Sequence, residues 1–251
     1  MVSVSTLAAI TVDGLAFGAS LALLGVGITL VYGLGEVLNL AIGAFAVIAA
    51  ISASLLTSEG VALPIAAVAG LGLVGVFGLV IDRTLLSLVY RSDGEERILL
   101  GIFTTLGLAV LLEGVMVNLV SSRYSLPLDI SPIDVGTTVV TGTSVVSIVV
   151  AAVVLAVLFA FLNRTFLGKA TRTIFQDERG AQLVGIDPRK IRTLVLVLSA
   201  VVAGLAALLV AARSHVGVGN AFPFTTFALI VSLLGGVRTV PGSVPAGRLR
   251  G

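Results

Sequence analysis

Long runs of apolar residues, separated by short polar connections, dominate the pattern along this chain. Each run is too long and too unbroken for a transmembrane β-strand, which alternates over about 10 residues. Helices satisfy their own backbone hydrogen bonds in lipid, and about 20 apolar residues are enough for one to cross. The pattern therefore predicts helical spans over residues 9–32, 36–57, 61–82, 98–120, 144–163, 193–212 and 222–237. The last run is short and begins near Pro223, so it either crosses the membrane or re-enters it.

Composition supports a single membrane-embedded domain over residues 1–251. Hydrophobic residues make up 57% of the chain and charged residues 11%, against about 25% charged in soluble proteins. We therefore predict an all-α, polytopic bundle of about seven spans. The chain has no cysteine and one histidine, His215, so disulfides, thiolate sites and multi-histidine metal sites are excluded. No metal or cofactor is expected, and the net charge of +2 gives no sign of nucleic-acid binding.

The basic residues predict which way the spans point. The longest polar stretch, about 164–192, is rich in Lys and Arg. If this stretch is cytoplasmic, alternation of the spans leaves only Arg123 and Arg213 outside among the 15 basic residues. Because cytoplasmic loops carry the excess of Lys and Arg, the N-terminus is predicted to lie outside.

A few polar groups fall within or beside the predicted spans, where they are costly and often functional. Glu113 lies within the fourth span, and Asp13 and Glu36 lie nearer the ends of theirs. Glu113 has two interpretations: a packing residue that is protonated or hydrogen-bonded, or a residue of a transport pathway. Asn39 begins an apolar helix, where a hydrogen bond across helices contributes about 0.6 kcal/mol.

The stretch 164–192 has the pattern of a short amphipathic helix. Ile174, Ala181 and Val184 share one apolar face at helical spacing. Gly185 is a plausible C-cap, and the pair Asp187–Pro188 prevents the helix from continuing. Such a helix between two spans either transmits force to a partner or is a solvated surface helix.

Known permeases show a similar arrangement in this stretch. The spacing of Glu178, Ala181 and Gly185 resembles the E-A-A…G coupling motif of ABC-importer permeases. The wider run from Gly168 to Ile186 resembles branched-chain amino acid permeases of the H type. Two further parts of the chain agree with that family, residues 14–33 and the stretch that contains Gly235-Gly236 and Pro241-Gly242.

The second span carries a further part of the resemblance. Residues 39–45 resemble that family's N-F-A-H-G-E-F segment, and the matching positions are Asn39, Ala41, Gly43 and Phe45. The family's His and Glu are replaced by Ile42 and Ala44, so any role of those polar groups cannot be carried over.

The resemblance implies a permease subunit in the plasma membrane of a prokaryote, and not an enzyme. Its implied partners are a second, similar permease subunit, two ATP-binding cassette ATPase subunits and an external solute-binding protein. The implied ATPase-coupling residues are Arg172, Glu178, Ala181 and Gly185. The possible pathway residues are Asn39, Gly43 and Glu113.

Other functions stay open at this point. Branched-chain amino acids are the leading substrates, and urea, short amides and other amino acids are alternatives. A function of another class, a stand-alone secondary transporter or channel, would need an ion-coupling acid deep in a broken helix and an internal inverted repeat. Glu113 is a candidate for such an acid, but no clear repeat is found.

The C-terminal sequence departs from the resembled family. That family continues with more membrane helix past the region that corresponds to Gly235-Gly236 and Pro241-Gly242. This chain instead reaches Gly251 after a tail that contains Arg248 and Arg250. Each arginine costs roughly 2.5–3.5 kcal/mol at a helix centre. The chain is therefore expected to be C-terminally short, with its tail outside the hydrocarbon region.

Overall fold

The computed structural model describes residues 4–35, 37–92, 94–120, 123–126, 128, 130–135 and 138–235. These residues form helices, apart from one short antiparallel hairpin. The helices are α1 (Val4–Gly35), α2 (Ile42–Ser58), α3 (Leu63–Ile81), α4 (Ser87–Val89), α5 (Gly94–Leu119), α6 (Gly142–Arg164), α7 (Phe166–Gln176), α8 (Glu178–Leu183), α9 (Pro188–Ala211) and α10 (Ala221–Gly235). A π-helical turn (Asp82–Leu86) joins α3 to α4, a 3₁₀ turn (Val218–Asn220) precedes α10, and the hairpin strands are β1 (Ile133–Val135) and β2 (Thr138–Val140).

Every predicted span is helical in the structure, which confirms the all-α class. Within the described residues, six helices are long and apolar enough to cross a membrane. The second span differs from its prediction, because α2 has 17 residues and begins at Ile42 rather than near residue 36. Residues 37–41 are not helical although four of the five are apolar, and hydropathy alone does not distinguish buried extended backbone from helix.

Cross-helix contacts agree with spans that alternate in direction along the chain. The Ser199 hydroxyl donates to the carbonyl oxygen of Gly27 at 2.7 Å, and the Arg213 guanidinium donates to the carbonyl oxygen of Asp13 at 3.1 Å. These two contacts make α1 antiparallel to α9. The Ser144 hydroxyl donates to the Asp13 carboxylate at 2.5 Å, so α6 begins at the end where α1 begins.

The alternation separates the basic residues by position. The segment 164–192 and the end of α3 lie at one end of the bundle, and Arg123 and Arg213 lie at the other. With the positive-inside rule, this separation places the N-terminus outside and α7 and α8 in the cytoplasm.

Small residues allow the central helices to pack closely. α9 is the most buried of the candidate spans and packs against α1, α2 and α3. A Cβ atom on Gly204 would lie 2.8 Å from the Cβ atom of Ala49, and one on Gly70 would lie 2.7 Å from the carbonyl oxygen of Ala49. Helices in lipid associate through such backbone approaches, because lipid supplies no hydrophobic force between them.

Two predictions fall on positions that the structure leaves undescribed. Glu36 is one of them, and residues 236–251 are the other. The expected tail outside the hydrocarbon therefore lies outside the described residues.

The alternation predicts opposite accessibility for two connections. Ser125→Cys and Asp177→Cys would each introduce the single cysteine of the chain. A membrane-impermeant maleimide added to intact cells should label Ser125→Cys, whereas Asp177→Cys should react only after lysis. Ser199→Cys, in the buried core, controls for nonspecific labelling. Labelling of both sites from the same side would contradict the alternation.

Candidate functional site

The chain leaves helical geometry between α1 and α2, in the middle of the bundle. A Cβ atom on Gly27 would lie 2.8 Å from Cδ1 of Ile42 and 3.3 Å from the carbonyl oxygen of Ser199. Ser199 is roughly midway along α9, so α2 begins at mid-membrane depth. Irregular backbone is tolerated there only where protein or a water-filled cavity satisfies its polar groups.

Side chains from two distant helices satisfy this irregular backbone. The Thr105 hydroxyl of α5 donates to the carbonyl oxygen of Leu38 at 2.8 Å and accepts from the amide of Leu40 at 3.1 Å. The Thr225 hydroxyl of α10 accepts from the amide of Gly43 and lies 3.1 Å from the carbonyl oxygen of Leu40. Residues 37–43, here called the mid-membrane segment, are therefore fastened to both α5 and α10.

Asn39 and Gly43 shape the mid-membrane segment from within. The Asn39 side-chain oxygen accepts from the amide of Ala41 at 3.1 Å, which fixes the turn into α2. A Cβ atom on Gly43 would lie 1.9 Å from the carbonyl oxygen of Ala221, so only glycine allows α10 to approach this closely. Both predicted residues thus contribute to the turn and the helix crossing, and neither lines the neighbouring cavity.

Glu113 lines a cavity of about 170 Å³ beside the mid-membrane segment. Its walls are mainly apolar and come from α2, α5, α10 and Leu40. They comprise Leu40, Ala44, Leu106, Ala109, Val110, Glu113, Ala221, Phe222, Thr225, Thr226 and Leu229. Ala44, the position at which the resembled family has glutamate, lies in the same lining. The mid-membrane segment and Glu113 are therefore brought to one place, although they are far apart in sequence.

The cytoplasmic stretch forms two helices rather than the one that its pattern predicts. The amide of Asp177 donates to the carbonyl oxygen of Thr173, which closes α7, and the carbonyl oxygen of Asp177 accepts from Ala181, which opens α8. Asp177 itself is extended, as N-cap residues usually are. The break changes the helical phase, so the expectation that Val184 shares the buried face of Ile174 and Ala181 is wrong.

Gly185 ends α8 in the manner that its position predicts. Its φ is +83°, a left-handed conformation that glycine adopts without strain. The amide of Gly185 donates to the carbonyl oxygen of Gln182, and the amide of Ile186 donates to that of Ala181, both at 3.0 Å. These two bonds form a Schellman cap. Asp187 then caps α9 by accepting from the amide of Arg189 at 3.0 Å.

The other predicted coupling residues occupy different environments. Ala181 is buried, and the half-buried Arg172 donates to the side-chain oxygen of Asn163 at the end of α6. Of Glu178 only the backbone, at the start of α8, is described. Leu183 and Val184 are 89% and 72% exposed, so the end of α8 presents apolar side chains at the cytoplasmic end.

A buried charged cluster joins α9 to the end of α3. The Thr193 hydroxyl donates to the Asp82 carboxylate within the π-helical turn. The Arg192 guanidinium lies 4.6 Å from the centre of the Tyr90 ring, a cation–π contact, and Asp82 and Arg192 are both buried. Burial also raises the pKa of the Tyr90 phenol above its usual value.

Sequence reasoning missed this cluster. In the sequence, Arg192 counts only as one of the basic residues that make the stretch 164–192 positively charged. The available signal was that Asp82 and Arg192 each lie at the boundary of an apolar run, where a charged group needs a partner.

A bundle of apolar, membrane-length helices with an irregular mid-membrane segment has the layout of a multi-pass membrane protein. Comparison with known proteins agrees with this class. The chain belongs to the family described as branched-chain amino acid transport system / permease component, whose model matches residues 10–251.

Similar proteins are found in bacteria and archaea. The permease protein BraD of the high-affinity branched-chain amino acid transport system of Pseudomonas aeruginosa is 28% identical, over 96% of this chain and 82% of BraD. The corresponding LivH of Salmonella typhimurium is 24% identical, over 95% of this chain and 82% of LivH. A probable LivH of Methanocaldococcus jannaschii is 27% identical, over 92% and 75%. No solved structure matches the chain significantly.

The hydroxyl of Thr225 should be important for stability. Thr225→Val keeps the shape but leaves the amide of Gly43 without its partner, which costs about 1–3 kcal/mol. Thr226→Val is the matched control, because its hydroxyl bonds only within α10, to Phe222. Thermal unfolding of the detergent-purified chain should show a lower midpoint for Thr225→Val alone. Equal losses in both variants would contradict this role.

Proposed function

We propose that this chain is the membrane-spanning permease subunit of an ATP-driven importer for branched-chain amino acids. The observation that carries the proposal is the family match over residues 10–251, which includes both the mid-membrane segment and the cytoplasmic helices. The substrate class follows the names of the similar proteins, which serve branched-chain amino acid transport.

In this proposal, α8 is the coupling helix that two ATP-binding subunits engage, one on each of two permease subunits. Leu183 and Val184 provide the apolar contact, since both are largely exposed at the cytoplasmic end. Arg172, Glu178, Ala181 and Gly185 are the proposed coupling residues. The buried Ala181 anchors α8 to the bundle, and the Schellman cap at Gly185 determines the direction in which Leu183 and Val184 point.

The motion of the ATPases reaches the spans through α9. Only the cap at Gly185 and the N-cap at Asp187 separate α8 from the first turn of α9. The contacts of Arg192 with Tyr90 and of Thr193 with Asp82 then connect α9 to the end of α3. Packed elements of this kind move between discrete arrangements rather than deforming continuously.

The chain supplies one half of the path, and a second, similar permease subunit supplies the other. An external solute-binding protein delivers the amino acid to the end of the bundle that contains Arg123 and Arg213. Asn39 and Gly43 keep the mid-membrane segment in place beside the path. A stand-alone carrier would leave the apolar, capped end of α8 without a role.

Gly185→Val should disconnect the ATPases from the permease. Valine at φ +83° is strained by about 1–2 kcal/mol, and relief of that strain would redirect the end of α8. We expect loss of ATPase co-purification and of leucine uptake in cells that express the complete importer.

Gly60→Val is a closely matched control. Gly60 has φ +84° and, like Gly185, no atom within 4 Å of an added Cβ atom, but it lies at the outer end of α2. This variant should suffer similar strain and keep both ATPase binding and uptake. If the two variants behaved alike, backbone strain rather than coupling would explain the loss.

A further inference from the structure

Two cavities follow one another along the seam between α5 and the chain that enters α10. The inner one, of about 170 Å³, contains Glu113. The outer one, of about 580 Å³, is lined by Val117, Val120, Arg123, His215, Gly217, Val218, Gly219 and Asn220. α5 contributes successive turns to both, and Asn220 leads directly into Ala221 of the inner cavity. The seam therefore extends from the outer end of the bundle to the mid-membrane segment.

The charged groups along this seam differ in sign between its two parts. Arg123, an exposed cation, lines the outer cavity together with the imidazole of His215. Glu113 contributes the ionisable group of the inner cavity, whose remaining polar side chains are the hydroxyls of Thr225 and Thr226. A ligand with both a carboxylate and an ammonium group has a complementary group in each cavity. Arg123 of the outer cavity suits the carboxylate, and Glu113 of the inner cavity suits the ammonium group.

Glu113 is available to a ligand. Among the residues that the structure describes, no side chain or backbone group forms a hydrogen bond or ion pair with its carboxylate. A packing role that depends on a hydrogen bond therefore finds no support among the described residues. A carboxyl group within a membrane span is costly unless it is paired, and such groups characteristically mark substrate or ion pathways.

The size and walls of the inner cavity select the rest of the ligand. An apolar protein cavity of about 150 Å³ holds a molecule as large as benzene. At about 170 Å³, with Leu106, Val110 and Leu229 in its walls, this cavity has room for a branched aliphatic group beside an ammonium group. A long cationic side chain such as that of lysine or arginine would place a second charge against those apolar walls.

We propose that the inner cavity is a transit site for aliphatic amino acids and that Glu113 binds their ammonium group. This inference rests on the proposed function, since it names the site at which the permease itself recognises its substrate. Leu106, Val110 and Leu229 contact the aliphatic side chain.

A cysteine reporter tests the site directly. The natural chain has no cysteine, so Thr226→Cys, in the cavity wall, gives one thiol whose alkylation by N-ethylmaleimide can be timed in the purified full-length chain. The probes are L-leucine, isoamylamine, which has no carboxylate, and 4-methylpentanoate, which has no ammonium group. Ser58→Cys, exposed at the outer end of α2, is the control thiol.

Leucine and isoamylamine should slow alkylation of Thr226→Cys, whereas 4-methylpentanoate and the control thiol should show no effect. Adding Glu113→Gln should raise the half-protecting concentration at least about tenfold, because removing one partner of a charge pair usually costs that much. Glu113→Asp, which keeps the carboxylate at the same position, should retain part of the protection that Glu113→Gln loses.

Three results would overturn the site. They are equal protection by 4-methylpentanoate, protection that survives Glu113→Gln unchanged, and no protection by leucine although the complete importer takes leucine up. The proposed function fails separately if the complete importer moves no amino acid. In that case, the ammonium site would still be established if leucine and isoamylamine both slow alkylation of Thr226→Cys and if Glu113→Gln abolishes this protection.

Discussion

The need to satisfy polar backbone inside a bilayer governs the centre of this protein. The mid-membrane segment interrupts the helices where water cannot replace the missing hydrogen bonds, and each unsatisfied group there would cost several kcal/mol. Thr105 and Thr225 supply the missing partners from two other spans. The irregular segment therefore determines where two distant helices pack. α5 and α10 must lie where the hydroxyls of Thr105 and Thr225 reach the backbone of Leu38, Leu40 and Gly43.

This constraint also creates the cavity that contains Glu113. Because Thr225 and the bare backbone of Gly43 draw α10 against α2, and Thr105 fastens α5 to the mid-membrane segment, the space between these elements is left open along one seam. The hydroxyls of Thr105 and Thr225 are engaged in these contacts, and the remaining lining of the inner cavity is mainly apolar. Among the residues that line this cavity, Glu113 alone is ionisable.

At the cytoplasmic end, the chain combines an exposed apolar contact with a firm connection to the core. Leu183 and Val184 are exposed at the end of α8, whereas Ala181 on the same helix is buried. Only a few residues separate Leu183 and Val184 from the first turns of α9. This short connection contains the cap at Gly185, and the buried Arg192 then holds the start of α9 against Tyr90. A surface helix with this short and rigid connection can pass on a displacement that a flexible loop would absorb.

The properties that depend on local pattern were determined by the sequence alone. Hydropathy established the membrane location and the helical spans, the distribution of Lys and Arg separated the two ends, and Gly185 marked the end of α8. Tertiary structure decided the rest, because those features depend on groups that are distant along the chain. The start of α2 depends on Thr105 and Thr225, and the partners of Asp82 come from α9. The surroundings of Glu113 likewise depend on which helices pack around it. Hydropathy along the chain does not contain that information, because it does not specify which helices are neighbours.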